Sequence, residues 1–170
     1  KLISSILDIS QIEAGKVRLT YEPIDIKEVA SSSISSLKPQ ANKKGVVLET
    51  LVPAEAVRAV ADRDRLRQVV VNLLANAVKF TPKGGKVVLS LSSVEEQPEL
   101  KGPGYRITVE DSGVGIPRDQ FDQIFQSFYQ VDSTSTREYG GAGLGLAIVK
   151  SFVEGHGGLV RVASELSKGS

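Results

Sequence analysis

The chain has 170 residues, of which 41% are hydrophobic and 24% charged, with 21 basic and 20 acidic side chains and no cysteine. A chain of this size and composition is typical of one soluble globular domain with its own core. The lack of cysteine excludes disulfides, thiol nucleophiles and cysteine metal sites, and a net charge of +1 gives no general reason to expect nucleic acid or an anionic membrane as a partner. No apolar run approaches the ~20 residues of a membrane span, and the first residues lack the pattern of a signal peptide.

Residues 1–14 carry a broad apolar stripe that predicts the end of a helix, with Gly15 as its stop. The stripe consists of Leu2, Ile3, Ile6, Leu7, Ile9 and Ile12. These residues support two interpretations equally: half of a helical hairpin or dimer bundle, or a short helix packed on its own domain. Because the chain begins in the middle of this pattern, we expect it to be a piece of a longer protein.

Apolar spacing predicts the elements that follow. Strands are predicted at residues 17–21, 46–52, 57–61, 86–94, 105–109 and 159–163, and helices at 24–44, 64–80, 117–125 and 144–154. We expect Pro23 to end the first strand and Pro39 to kink or re-cap the first of these helices. Asp62 is a good N-cap for the helix at 64–80, and residues 95–104 have the composition of an exposed turn.

The helix at 64–80 carries a row of polar side chains beside its apolar ridge. At about 100° per residue, Asn72, Asn76 and Lys79 fall on one face. An amide oxygen can bind a hard cation such as magnesium, and a lysine can neutralise a phosphate. Taken alone, the row is more simply explained as a solvated helix face.

A glycine-containing turn, Asp111-Ser112-Gly113-Val114-Gly115-Ile116, directly follows the strand at 105–109. Two glycines allow positive φ and a close approach of the backbone to a flat ligand. A carboxylate held there can accept a hydrogen bond from an exocyclic amine such as N6 of adenine. The alternative is a structural turn in which the aspartate bonds its own backbone.

A second glycine-rich stretch, residues 140–146, opens the helix at 144–154. Free N–H groups and the positive end of a helix dipole favour phosphate there, whereas the alternative is a flexible hinge. The preceding loop, 129–142, has no apolar periodicity and a length typical of a lid or a disordered segment. Phe125 and Phe128 precede this loop; a core pair is their simplest role, although they could also anchor the base of a lid.

Four motifs in this order resemble the ATP-binding domain of sensor histidine kinases, a member of the GHKL superfamily with DNA gyrase B, the Hsp-type chaperone ATPases and MutL-like repair proteins. NLLANAVKFT at 72–81 resembles the N box, DSGVGI at 111–116 the first glycine box, FQSF at 125–128 the F box, and GGAGLGLAIVK at 140–150 the second glycine box. Residues 7–19 are similar to the tail of the second dimerisation helix and the linker strand. The resemblance covers nearly the entire chain.

The resemblance implies a role for each matching residue. Asp111 would recognise the adenine amine, Asn76 would ligate magnesium with support from Asn72, and Lys79 would meet the phosphates. The remaining nucleotide-binding positions would be Phe80, Gly113, Gly115, Ile116, Gly141, Gly143, Leu144 and Gly145. Hydrolysing members of the superfamily have a water-orienting Glu where Asn72 stands, and an amide is a poor general base, which favours a kinase over an ATPase.

Two positions depart from the family pattern, and one expected group is missing. Gln130 stands where many members carry an Arg directed at the γ-phosphate, and Arg137 in the same lid could supply that charge. Ala142 replaces a commoner Thr. The phosphate-accepting His of the first dimerisation helix is absent, and the single histidine, His156, lies in a helix-ending context that indicates a structural role. No self-contained catalytic residue set is therefore expected in this chain.

We accordingly expect an α/β two-layer sandwich of the Bergerat type, with a mixed sheet of about five strands covered on one face by three helices. Residues 1–14 would be the end of the dimerisation helix, and 15–170 the catalytic domain with its lid at 129–142. The expected ligands are ATP and magnesium. The expected partners are the protein's own dimerisation domain, a response regulator receiver domain and a second copy in a full-length homodimer, all in the cytoplasm and without nucleic acid. The alternatives are a degenerate nucleotide-binding module without transfer activity and a GHKL ATPase.

Overall fold

The computed structural model describes residues 2–15, 17–95, 102–130 and 142–170. Its helices are α1 (Leu2–Glu13), α2 (Ile26–Lys44), α3 (Arg63–Phe80) and α4 (Gly145–Gly155), and its strands are β1 (Glu22–Asp25), β2 (Val47–Leu51), β3 (Arg58–Ala61), β4 (Lys86–Val94) and β5 (Gly104–Asp111). A 3₁₀ turn spans Arg118–Gln120. The predicted α/β class is confirmed.

The strands form two sheets instead of the single five-stranded sheet that we expected. β4 lies at the centre of the larger sheet, parallel to β2 and antiparallel to β5. β1 and β3 form a separate antiparallel pair. The main core lies between these sheets and α2 and α3, whereas α4 packs against α3 and α1 in a second, smaller core.

α3 is fixed at both ends and along one face. The side chain of Asp62 caps its first turn by accepting from the N–H of Arg65 at 3.0 Å. At the other end, the hydroxyl of Thr81 donates to the carbonyl of Ala77 at 2.7 Å. Its innermost residues, Val70, Leu74 and Val78, are fully buried. The predicted amphipathic helix and its N-cap are confirmed, and α3 is the rigid element on which the polar row sits.

Prolines account for two corrections in the first half of the chain. Residues 17–21 form no strand, and the strand that does form, β1, contains Pro23 opposite Val60 of β3. Proline is tolerated there because both strands of a two-stranded sheet are edge strands. Pro39 does not re-cap α2, which continues to Lys44. Pro39 lies on the exposed side of the helix, where water can reach the carbonyl that loses its N–H partner.

Two elements predicted in the second half are wrong. The helix expected at 117–125 is one 3₁₀ turn followed by further turns, because the N–H groups of Gln120, Gln123 and Gln126 each reach back only three residues. The strand expected at 159–163 does not form. The end of β5 pairs instead with the last residue, since the N–H of Asp111 donates to Ser170 O at 2.8 Å and the N–H of Ser170 donates back.

α1 both packs on the domain and exposes an apolar face. Ile9 is buried in the second core, and Asp8 accepts from Arg65 at 2.8 Å and from Gln68 at 2.6 Å on α3. Ile3 and Leu7 remain 76% and 59% exposed. The packed interpretation is therefore correct for one face of the helix, and the other face is unaccounted for by contacts within this domain.

Candidate functional site

The polar row of α3 lies in the second half of the helix. Asn72, Asn76 and Lys79 are half-buried, and Phe80, which ends the helix, is more exposed. The ammonium of Lys79 lies 4.6 Å from the centre of the Phe80 ring, a cation–π contact. Burial lowers the pKa of Lys79. The row is thus partly withdrawn from water, unlike an ordinary solvated helix face.

Asp111 is held in a fixed orientation at the end of β5. The N–H of Gly113 donates to its Oδ1 at 2.8 Å, which is the structural turn that the sequence left as an alternative. Burial raises the pKa of Asp111, and hydrogen bonds from Gly113 and Ser170 partly oppose this effect. Because a carboxylate has about four acceptor sites, Asp111 keeps acceptor capacity for a ligand beside its bonds from Gly113 and Ser170.

Gly113 brings this turn against the end of α3. A Cβ at position 113 would lie 2.5 Å from Oδ1 of Asp111 and 2.7 Å from the carbonyl oxygen of Phe80. Only glycine permits this approach. Phe80 is one helical turn from Asn76, about 6 Å along the axis. Asp111 and Asn76 therefore lie on the same side of the molecule.

The C-terminal segment supports the same turn from its other side. Gly115 has φ +72, and a Cβ there would lie 2.2 Å from the carbonyl oxygen of Glu165. The N–H of Ile116 donates to Ser164 Oγ at 2.8 Å. Gly169, with φ +112, lies against the backbone of Asp111. Nothing in the sequence analysis predicted that residues 164–170 support the turn at Asp111.

The second glycine stretch reaches the polar row of α3. A Cβ on Gly145 would lie 3.8 Å from Nδ2 of Asn76 and 3.9 Å from Cγ of Asn72. The Nδ2 of Asn72 makes a long hydrogen bond of 3.4 Å to the carbonyl of Gly145. The first turn of α4, with its free N–H groups, therefore faces the two amides. Leu144 is buried in the second core, so its side chain supports the site from behind.

The two ends of the loop at 129–142 are joined at its base. Gly143 has φ +68, and its carbonyl accepts from the N–H of Phe128 at 3.0 Å. Phe128 has a positive φ of 64° and is 63% exposed, so the interpretation of Phe125 and Phe128 as a core pair is wrong for the second ring. Backbone strain of this kind is sustained by its surroundings and concentrates at binding segments.

His156 lies away from these residues. Its Nε2 accepts from the N–H of Asp62 at 3.0 Å, its Nδ1 bonds the carbonyl of Phe152 at 2.7 Å, and its ring packs edge-on against Tyr21. Both ring nitrogens are engaged with backbone, which supports the structural role.

Burial by itself would raise the pKa of Asp62, but hydrogen bonds from the backbone of Arg65 and Thr20 lower it overall.

A family model described as histidine kinase-, DNA gyrase B-, and HSP90-like ATPase matches residues 61–170. The chain belongs to this family. The matched residues include α3, the turn at Asp111 and the start of α4, which are the three segments that converge in the structure. The four motifs read from the sequence thus identified the family correctly.

Relatives within the family are sensor kinases. The chain is 41% identical to hybrid signal transduction histidine kinase D of Dictyostelium discoideum over 95% of its length, and 39% identical to the circadian input-output histidine kinase CikA of Synechococcus elongatus over 100%. It spans only 10% and 22% of those two proteins.

Solved structures agree with these relatives. The structure matches full-length ShkA in complex with AMPPNP with a TM-score of 0.81 and 34% identity, over 99% of this chain and 33% of that one. It matches the mycobacterial sensor histidine kinase MprB with a TM-score of 0.65 and 30% identity, over 81% of each chain. Within the family, the chain is a catalytic domain of the sensor histidine kinase type.

Several expected features of such a domain cannot be located. Arg137 and Gly141 lie outside the described residues, together with most of the expected lid, whereas Gln130 is exposed and Ala142 packs against the second core. Among the residues that the structure does describe, no three His, Asp or Glu side chains converge as metal ligands, and no helix is long and apolar enough to cross a membrane.

Proposed function

We propose that this domain binds ATP with magnesium and, in the intact protein, transfers the γ-phosphoryl group to a histidine on a dimerisation domain outside this chain. The observation that carries the proposal is the convergence of three segments. Gly113 brings the Asp111 turn against the carbonyl of Phe80, and Gly145 brings the start of α4 against Asn72 and Asn76. From these two approaches we infer that an acid, two amides and the N–H groups at the start of α4 would border one nucleotide cleft.

Each segment supplies a different part of the recognition. The carboxylate of Asp111 would accept from the adenine amine while Gly113 and Gly115 let the backbone pass beside the base. Ile116 and Phe80 would wall the base. Lys79 and the N–H groups around Gly143 and Gly145 would face the phosphates, since a helix N-terminus favours anions. Arg137 and Gly141 would add to the phosphate side.

The donor set suits magnesium. Asn72 uses its amide nitrogen toward Gly145, so its carbonyl oxygen and that of Asn76 are the groups left for a hard cation. Magnesium is commonly held by one or two protein oxygens together with substrate phosphates and water. Bound there, it would neutralise phosphate charge; the chain's residues would hold and orient the nucleotide, and this positioning is the main part of phosphoryl-transfer catalysis.

The same family relationship supports a domain division. We assign residues 1–14 to the end of the dimerisation helix and 15–170 to the catalytic domain, with 129–142 as the lid. The exposed Ile3 and Leu7 fit a helix that is completed by a second copy in a homodimer. A receiver domain of a response regulator would then take the phosphoryl group. Because ATP is supplied by the cytoplasm, we place the site there.

The decisive experiment measures nucleotide binding and transfer separately. Calorimetry of this chain with ATP–magnesium should show binding that weakens when the metal is chelated. The chain should then label a separately supplied dimerisation domain from γ-labelled ATP, with phosphohistidine as product and ADP as leaving group. A His→Gln version of that dimerisation domain is the control. Binding without labelling would support the degenerate module, and steady phosphate release by the chain alone would support an ATPase.

A further inference from the structure

The carbonyl groups at the end of α3 have two kinds of partner. The carbonyl of Ala77 accepts from the N–H and the hydroxyl of Thr81. The next two carbonyls, of Val78 and Lys79, both accept from the ammonium of Lys44, at 3.0 Å for Val78 and as a shorter contact for Lys79. A side chain from α2 therefore caps the helix that carries the polar row.

The backbone around Lys44 fixes this contact. Lys44 is the last residue of α2, and Gly45 after it has φ +71, which turns the chain into β2. The carbonyl of Gly45 accepts from the N–H of Gly84 at 2.8 Å, which ties this corner to the corner that follows α3. Lys44 is half-buried, whereas its neighbour Lys43 is exposed.

The position of this cap matters because of the helix dipole. The C-terminal end of a helix carries about half a negative charge on its unsatisfied carbonyls, which attracts cations and repels anions. The last turn of α3 bears Asn76 and Lys79, and its final carbonyl, of Phe80, lies against Gly113. An anionic ligand at the cleft thus meets the unfavourable end of α3 unless a cation offsets it.

We propose that Lys44 is a positioning residue for the phosphate and metal part of the nucleotide site: its ammonium neutralises the carbonyl end of α3 and fixes the turn that carries Asn76 and Lys79. The inference rests on the proposed nucleotide-binding function. Although Gly113 touches the carbonyl of Phe80 at this same end of α3, the adenine part should depend on Lys44 less, because the Asp111 carboxylate itself is held by β5, Gly113 and the C-terminal segment.

The test compares three variants of this chain against two ligands by calorimetry, below the thermal transition of each variant. Lys44→Met removes the charge and keeps the side-chain length, Lys44→Arg restores a cation, and Lys43→Met removes an exposed charge from the same helix turn. We expect Lys44→Met to bind ATP–magnesium about tenfold more weakly, equivalent to about 1.4 kcal/mol, and to bind adenosine within about twofold of wild type. Lys44→Arg should recover most of the ATP–magnesium affinity, and Lys43→Met should change neither ligand.

A loss of affinity for ATP–magnesium without a loss of affinity for adenosine distinguishes a positioning role of Lys44 from general destabilisation of the fold. A general weakening of the fold would lower both affinities together, and that result would overturn the inference. Wild-type affinity for ATP–magnesium in Lys44→Met would overturn it as well, while leaving the proposed function intact. If the wild-type chain binds neither ATP nor adenosine, the proposed function fails and this inference fails with it.

Discussion

Replacing Asp111 by Asn should separate nucleotide recognition from stability. The substitution keeps the shape of the side chain, and Oδ1 of Asn can still accept from the N–H of Gly113, as Oδ1 of Asp111 does at 2.8 Å. The other oxygen, Oδ2, then becomes an amide nitrogen, which presents a donor to the donor amine of adenine. A hydrogen bond with a charged acceptor contributes about 1.5–3 kcal/mol, so we expect affinity for ATP to fall about 10- to 150-fold.

The free energy of unfolding should not fall together with the affinity in Asp111→Asn. Because burial raises the folded-state pKa of Asp111, the folded domain binds this proton more tightly than the unfolded chain does. The contribution of the protonated Asp111 to the free energy of unfolding is fully present below the unfolded-state pKa of about 3.9. It is lost as pH rises through the folded-state pKa. At neutral pH the ionised carboxylate is therefore a cost, and Asp111→Asn should be as stable as wild type or more so, with the difference vanishing in acid.

Calorimetry with ATP–magnesium and urea unfolding at pH 7 and pH 3.5 measure both effects. Glu110→Gln is the matched control, because Glu110 is an exposed acid on the preceding residue of β5. It should leave affinity within about twofold of wild type. Unchanged affinity in Asp111→Asn would remove this residue from the adenine site. Loss of both affinity and stability would mean that the carboxylate is a structural group.

Three further predictions concern the metal, a turn and a helix cap. Asn76→Asp should shift the magnesium titration of ATP binding, whereas the exposed Asn42→Asp should not; identical titrations would refute the ligand role. Gly115→Ala should lower the free energy of unfolding by more than Gly84→Ala, because both glycines have positive φ but only position 115 adds a collision of Cβ with backbone. Asp62→Ala should lower the free energy of unfolding by about 1 kcal/mol at pH 7. The loss should become smaller as pH falls, because the pKa of Asp62 is lowered in the folded state. A loss that urea unfolding shows to be independent of pH would contradict the role of Asp62 as a helix cap.

The sequence predicted best where one physical signal acts alone. α3 and β4 were placed within one residue at each end, because a helical stripe with an N-cap and a strict alternation are both local patterns. The candidate site residues were predicted for a related reason. Gly113 has no side chain to pack, and its value lies in the close approach of backbone that the structure displays.

Predictions failed where the outcome depends on pairing between distant segments. The apolar run at 159–163 has the composition of a strand, but the end of β5 is taken by Ser170. Pro23 was expected to end a strand and instead lies within one, because an edge position removes the need for its missing N–H. The contact of Lys44 with α3 could not be predicted from the sequence. A lysine before a helix-ending glycine is ordinary, and the partners of Lys44 lie on another helix.

α3 connects the contact with α1 at one end of the helix to the proposed nucleotide site at the other. Its first half binds α1, because Arg65 and Gln68 both bond Asp8. Its last turns hold Asn76 and Lys79, and 18 helical residues span about 27 Å between those ends. α1 cannot move relative to this helix without breaking both bonds to a carboxylate that is almost fully buried. A displacement of α1 must therefore either release α3 or carry it along, and in the second case the polar row of the nucleotide site moves with it.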